Sequence, residues 1–347
     1  MFIENLEIGN YKKPILIAEM SGNHNQSIDR AIDIVRAAAN SGAHIIKLQT
    51  YTPDTITLDI PDNEFFINDP KSLWKGQSLY NLYQSAFTPW EWHEEIFRES
   101  KKLGLVCFSS PFDESSVDFL EDLNAPAYKI ASFENNHLPL IKKVAQTGKP
   151  IIVSTGLASI SDLHDIVEVL KDNKCNDFVL LKCTSTYPAS PINSNILTIP
   201  HMMNLLNCDV GLSDHTLGIG AAVAAISHGA CLIEKHFTLN RDDGGVDSDF
   251  SLEPKEFKLL RKESERAWEA LGKVHYGPTK SEFNASKKRR SIYVSKNILK
   301  GDILTSENIK IVRPGLGLSP KMIDIVIGRE VKEDIKKGTA LSWDLIK

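Results

Sequence analysis

The chain has no apolar run long enough to cross a bilayer, so no helical anchor is expected and no membrane is among the expected partners. It has no excess of basic residues either: 40 Lys and Arg face 45 Asp and Glu over 347 residues, a formal net charge of -5. That balance gives no attraction to nucleic acid or to an anionic lipid surface. Cysteine is scarce. The five present, Cys107, Cys175, Cys183, Cys208 and Cys231, are an odd number without CxxC spacing, which argues against a disulfide framework and a cysteine metal site. Cys183 alone falls at the functional end of a predicted strand, where a small packed residue is the plain reading. The opening MFIENLEIGNYKKP lacks the basic-then-apolar layout of a signal peptide, so a cytoplasmic location is expected.

What the chain does contain is a rhythm. Eight short apolar runs end in polar residues, each followed by an amphipathic stretch: Ile15 to Glu19, His44 to Gln49, Leu105 to Ser110, Ala127 to Ser132, Pro150 to Thr155, Phe178 to Thr184, Asp209 to His215 and Cys231 to Phe237. They read as parallel strands buried on both faces. Strand-helix alternation that closes after eight units predicts an α/β fold, a (β/α)8 TIM barrel, with its chemistry at the C-terminal strand ends. Ser27 to Asn40 typifies the helices, with Ser27 as N-cap and Gly42 as stop. The gap from Tyr51 to His93 is much longer than the others, and such a loop covers an active site or meets a partner.

The barrel is expected over residues 1–272, a polar, turn-rich linker over 273–290 and a small β-rich domain over 291–347. In the last, Asn297 to Ile309 (NILKGDILTSENI) aligns with Asp334 to Ile346 (DIKKGTALSWDLI). Two copies are too few for a solenoid and read as pseudo-symmetric halves of one domain. Between them lies VRPGLGLSP, Val312 to Pro320, which its Gly and Pro force into turns.

Glu19, Lys47, Gln49, Ser110, Lys129, Ser132, Ser154, Lys182, Ser213, His215, Glu234 and His236 all fall at or near strand ends. His215 and His236 end neighbouring strands, a placement that suits a divalent cation with open positions for substrate and water. Each is equally well a satisfied barrel histidine. Lys47, Ser110, Lys129, Ser132, Ser154 and Ser213 form a ring of donors for a phosphate or carboxylate, since unpaired lysines and hydroxyls are costly to bury. Glu19 is the general acid or base candidate, a structural salt bridge to Lys47 being the alternative. Glu134 and Asp247 are placed to bind sugar hydroxyls, although the loop RDDGGVDSD around Asp247 also reads as a solvated acidic loop. Arg313, on VRPGLGLSP, suits a carboxylate or phosphate, or is an exposed structural arginine. Ser213-Asp214-His215 is no hydrolase triad, because consecutive strand residues point to opposite faces.

The ordered blocks AEMSGNHNQS, IKLQTY, SSPF, YKIASFE, VSTG, TSTYP, GLSDHT, EKHFTL and VRPGLGLSP resemble the sialic acid synthases, which condense phosphoenolpyruvate with an N-acetylated amino sugar. The resemblance spans nearly the whole chain, and residues 291–347 resemble the antifreeze-like (SAF) domain of that family. YTPDTITL, LYQSAFTPWEWH, CFSSPF, YKIASFEN and LKCTSTYP are most similar to the pseudaminic acid branch. Three positions depart from the neuraminate branch: Ser110 replaces threonine, Ser185 replaces asparagine, and Phe133 replaces the second glycine of a Gly-Ser-Gly-Glu block.

The resemblance implies that His215 and His236 bind Mn2+ or Mg2+ and that Lys47, Ser110, Lys129, Ser132, Ser154 and Ser213 hold phosphoenolpyruvate. It further implies that Glu19 does proton chemistry and that Gln49, Glu134, Tyr187 and Asp247 contact the sugar. Arg313 would be offered across a domain-swapped homodimer to the partner's barrel. The bulk of Phe133 favours a 6-deoxy sugar bearing two acetamido groups. A neuraminate or legionaminic acid synthase and a metal-dependent pyruvate aldolase are the competing enzyme readings, and a non-catalytic sugar- or ice-binding protein is the third.

Overall fold

All eight runs form parallel strands in the computed structural model, which describes every residue except Tyr11. The strands are Ile15–Glu19, Ile45–Thr50, Val106–Pro111, Tyr128–Ile130, Ile151–Ser154, Phe178–Cys183, Asp209–Ser213 and Leu232–His236. Each pairs with its successor, and the eighth pairs with the first to close the barrel. The helix Ile28–Asn40 begins where expected, with the Ser27 side chain accepting the N–H of Arg30.

Two strands stop two residues earlier than the sequence suggests. The fourth ends at Ile130, leaving Ser132 in a one-turn helix, Ser132–Glu134. The seventh ends at Ser213, so His215 lies two residues beyond it. The Asp214 carboxylate accepts the N–H of Thr216 at 2.9 Å, and such a local bond competes with the strand ladder.

Alternation of side chains along each strand sorts the barrel by parity. Leu16, Ala18, Ile46, Leu48, Val153 and Leu180 face outward to the helices. Ile15, Ile17, Ile45, Val106, Phe108 and Leu181 face inward and pack with Ile3 and Ile8. Ile3 belongs to a short hairpin, Phe2–Ile3 against Leu6–Glu7, and Ile8 follows it; the hairpin fills the end at which the strands begin. The inward positions are therefore apolar in the lower half. Continued upward, the same parity delivers Glu19, Lys47, Gln49, Ser110, Lys129, Ser154, Ser213, Glu234 and His236.

The chain divides after Gly272, and Lys273–Lys347 forms the second unit. Its strands Ser291–Val294 and Ile309–Val312 pair antiparallel, and its core is aliphatic, with Ile298, Leu304, Ile335 and Leu341 buried. The two copies of the repeat bond to each other. Ile298 and Ile335 exchange both backbone bonds, at 2.9 and 2.8 Å. The N–H of Gly301 meets the carbonyl of Val331, and that of Gly338 meets Val294. Lys300 donates its N–H to the Asp334 side chain, and Lys337 donates to Asn297. A shift of 37 residues, the spacing from Asn297 to Asp334, converts each bond of a pair into the other.

Candidate active site

The inward polar residues line a cavity of about 460 Å³ at the C-terminal mouth of the barrel. Glu19, Lys47, Gln49, Lys129, Ser132, Glu134, Ser154, Tyr187, Ser213, His215, His236 and Asp247 all reach it. Ser110 lies behind this wall, fully buried, and receives the Lys47 ammonium at 3.3 Å. Lys182 does not belong to the rim. It follows the inward Leu181 on the same strand and so turns outward, where its ammonium donates to the Cys183 carbonyl at 2.8 Å. Arg313 is exposed in the second unit.

Two buried ammonium groups and two buried carboxylates occupy the floor. Lys47 lies 2.6 Å from Glu19 and 3.7 Å from Glu234. Lys129 donates to Ser154 Oγ at 2.6 Å and lies 3.9 Å from Glu234. The salt bridge considered as an alternative for Glu19 is thus formed, and its carboxyl is also engaged by Gln49 at 2.9 Å. Burial raises the Glu19 pKa to about 7, with the lysine pulling down and the neighbouring Glu234 pushing up. A carboxyl near 7 can both take and return a proton at neutral pH. Burial would also raise Glu234, but Lys129, Lys47 and His215 outweigh it and hold it below the ordinary range. Oε2 of Glu19 is the oxygen that meets Lys47, whereas Oε2 of Glu234 is buried without a hydrogen-bond partner, which leaves acceptor capacity open to a ligand.

The upper half of the cavity has a different character. The segment between the second and third strands folds over the mouth and contributes Ile56, Ile67, Trp74, Leu79, Leu82 and Tyr83. Trp74 fastens it: the indole N–H donates to the Val246 carbonyl at 2.8 Å, and the ring lies 5.9 Å from that of Tyr187. Phe112 and Phe133 add to the same apolar wall. Glu134 stands among them half-buried, with burial raising its pKa to about 7 despite Lys129. Asp247 is not solvated. Ser21 Oγ donates to its Oδ2, and burial raises its pKa. Asp243, by contrast, lies at the surface in an ion pair with Arg30.

The two imidazoles lie with ring centroids 5.3 Å apart. His215 Nδ1 is 2.9 Å from the Thr184 carbonyl, and since a carbonyl only accepts, Nδ1 carries a proton and Nε2 has a lone pair whenever the ring is neutral; burial would lower the His215 pKa, but Cys183 and that carbonyl raise it. His236 Nδ1 is buried without a hydrogen-bond partner and lies 3.5 Å from Asp247. Burial, the neighbouring His215 and the site's lysines hold His236 well below its usual pKa, as a ligand nitrogen requires. The donor set therefore fits a divalent cation with two protein nitrogens. Among the described residues no three His, Cys, Asp or Glu side chains stand ready to enclose one, so further positions would fall to substrate and water.

The sequence reading did not include Ser21, the aromatic and aliphatic wall of the long segment, or a role for Glu234. Glu234 was legible: it has the inward parity of His236. Ser21 follows the first strand and carried no such signal.

Residues 34–276 match the NeuB family and residues 289–347 match the SAF domain. The chain belongs to the NeuB family. It is 43% identical over 339 residues to a pseudaminic acid synthase of Campylobacter jejuni, covering 97% of this chain and 98% of that protein. To an N,N'-diacetyllegionaminic acid synthase of the same organism it is 34% identical, over 94% of this chain and 98% of that one. Among solved structures, an N-acetylneuraminic acid synthetase of Leptospira borgpetersenii superposes with a TM-score of 0.72 at 29% identity, covering 82% of this chain and 94% of that one. The NeuB match includes every barrel strand from the second onward and both imidazoles, and the SAF match contains Arg313.

Proposed function

We propose that this chain is a pseudaminic acid synthase: it condenses phosphoenolpyruvate with 2,4-diacetamido-2,4,6-trideoxy-L-altrose and water, giving pseudaminic acid and inorganic phosphate. The observation that carries the reading is the two-ended cavity. Its floor of Lys47, Lys129, Ser132, Ser154 and Ser213 suits an anion, and its roof of Ile67, Trp74, Leu79, Leu82 and Phe133 suits methyl groups. A sugar with a C6 methyl and two acetamido methyls buries them against such a roof at about 0.8 kcal/mol per carbon, whereas a hydroxymethyl would lose water there. The greater identity to the pseudaminic than to the legionaminic enzyme of one organism points the same way.

In this reading the lysines and serines hold the phosphate and carboxylate of phosphoenolpyruvate, with Ser110 supporting Lys47 from behind. Gln49, Glu134, Tyr187 and Asp247 orient the open-chain sugar so that its aldehyde carbon faces C3 of phosphoenolpyruvate, and the carbon–carbon bond forms between them. Positive charge then develops at C2. Water adds there with Glu19 taking its proton and passing it to the former aldehyde oxygen, and the C2–oxygen bond to phosphate breaks as the keto group forms, the proton of the C2 hydroxyl leaving with the phosphate. A Mn2+ or Mg2+ ion held by His215 and His236 would supply Lewis-acid polarisation of the aldehyde oxygen.

We also propose a domain-swapped homodimer, in which residues 291–347 close the mouth of the other barrel and bring Arg313 to it. The polar stretch 273–290 gives reach, and a charged intermediate calls for exclusion of bulk water. A cytoplasmic location follows from the need for phosphoenolpyruvate, and glycans such as those of flagellin are fitting destinations for the product. Phosphate release measured with phosphoenolpyruvate and three sugars tests the central claim. The diacetamido-trideoxy altrose sugar should give the highest kcat/KM. A higher value for N-acetylmannosamine, or for the sugar precursor of legionaminic acid, would refute it.

A further inference from the structure

The backbone ladder between the seventh and eighth strands ends at the pairs Ile233 with Leu212 and Glu234 with Ser213. One further backbone bond, from Asp214 N–H to the Glu234 carbonyl, follows at 2.9 Å. Beyond it come the two imidazoles. His236 is held on its other side, where the eighth strand pairs with the first at Glu19. His215 lies past the end of its strand.

At this level, on the outward face, stands an ion pair that the proposed chemistry does not use. Lys235 Nζ lies 3.0 Å from Asp214 Oδ2, with side chains 0% and 2% exposed. The ammonium also donates to the carbonyls of Thr216 and Gly218, so all three of its protons are used. The second carboxylate oxygen of Asp214 accepts the N–H of Thr216. Lys235 separates Glu234 from His236, and Asp214 separates Ser213 from His215. Each charged residue therefore points outward between two that point into the cavity.

We propose that the Asp214–Lys235 pair positions the two imidazoles, replacing the missing ladder bonds and fixing the segment Asp214 to Gly218 so that His215 faces His236. Burying two charges is poorly repaid in stability, and an apolar pair of similar volume does as well in many folds. An apolar pair would not capture the backbone of residues 216 and 218. Asp214 and Lys235 are thus positioning residues, and the inference rests on the reading of His215 and His236 as metal ligands.

The test is the double variant Asp214→Leu/Lys235→Met, which leaves no unpaired buried charge, together with the milder Asp214→Asn. Free Mn2+ counted by electron paramagnetic resonance gives the metal affinity, calorimetry gives phosphoenolpyruvate binding to metal-free protein, and nitrogen-15 spectra report the two imidazoles without metal. The expected result in the double variant is at least a tenfold loss of Mn2+ affinity, on the order of 1.4 kcal/mol, with phosphoenolpyruvate affinity changed less than about twofold. Its His215 ring resonances should broaden or multiply, and Asp214→Asn should show a smaller change in the same direction. A folded variant with wild-type Mn2+ affinity and unchanged ring resonances overturns the inference, as does equal loss of Mn2+ and phosphoenolpyruvate binding. If the double variant does not fold, Asp214→Asn decides by the same readings. Wild-type protein that binds no Mn2+ would refute the metal reading instead, leaving the imidazole spectra to judge the positioning.

Discussion

Gly156 follows the fifth strand at a place where the backbone of the site is packed against itself, and Gly156→Ala probes how closely Ser132 must be held. A Cβ at Gly156 would lie 2.1 Å from Ser185 Oγ, 2.6 Å from Ser132 Oγ and 2.9 Å from Ser132 Cβ. Ordinary contact begins at about 3.4 Å, so the Ser132 hydroxyl must retreat by roughly 0.8 Å. The Ser185 hydroxyl can rotate to another staggered position, but no rotation moves the Ser132 Cβ. Gly156 cannot back away either, because Asn135 donates to its carbonyl at 2.8 Å and its own N–H donates to Ser132 Oγ. Overpacking of this kind costs about 1–3 kcal/mol. If the cost falls on the anion-holding geometry, kcat/KM for phosphoenolpyruvate drops by about 5- to 150-fold. The assay is phosphate release at saturating sugar with phosphoenolpyruvate varied, and a thermal melt confirms the fold. Gly156→Ala/Ser185→Ala removes the shortest contact and should recover little. A folded Gly156→Ala enzyme with unchanged kcat/KM for phosphoenolpyruvate would mean that Ser132 does not hold it.

His215→Ala and His236→Ala should each abolish turnover without unfolding the protein, and EDTA should do so reversibly with Mn2+; full activity of metal-free enzyme would sink the metal reading. Mixing inactive Arg313→Ala with inactive Glu19→Ala should restore activity toward about a quarter of wild type, since half the exchanged dimers carry one undamaged site of two. No recovery after proven exchange would exclude the swap. Ile67→Thr should lower kcat/KM for the 6-deoxy sugar more than for N-acetylmannosamine while leaving KM for phosphoenolpyruvate unchanged; equal losses for both sugars would place Ile67 outside sugar selection. Glu134→Gln should stabilise the protein more at about pH 8 than at about pH 5. The wild-type carboxyl, raised by burial from 4.5 to about 7, is fully favourable below its unfolded pKa and loses that stability as pH rises through the folded value, by at most about 3 kcal/mol. Equal gains at both pH values would show that the carboxyl is not desolvated.

The barrel was legible because its strands are apolar runs of the right length at the right intervals. The site was legible because polar residues interrupt those runs at their ends. Lys182 and Glu234 show where the reading stopped short: both sit near strand ends, and only their parity separates an outward lysine from an inward carboxylate. Asp247 was ambiguous for another reason. Its neighbours Asp242, Asp243 and Asp249 are acidic, and its burial depends on Ser21, more than two hundred residues away in sequence. The apolar wall carried no period to mark it, since Ile56, Ile67 and Trp74 come from short helices and turns that converge only when folded over the mouth.

The repeat in the second unit has a consequence for how that unit can change over evolutionary time. The bonds of Ile298, Lys300 and Gly301 have twins at Ile335, Lys337 and Gly338, so this part of the scaffold is encoded in duplicate. The connection through residues 310–327, which carries Arg313, has no counterpart. Drift at a twinned position can be balanced by its mate, whereas the connector is tied into the core by its strand residues and by Leu318 and Val326 and is free to vary only at exposed positions such as Arg313 and Leu316. A duplicated scaffold leaves its unduplicated connector as the place where the two halves differ, and in this chain Arg313 stands there, exposed.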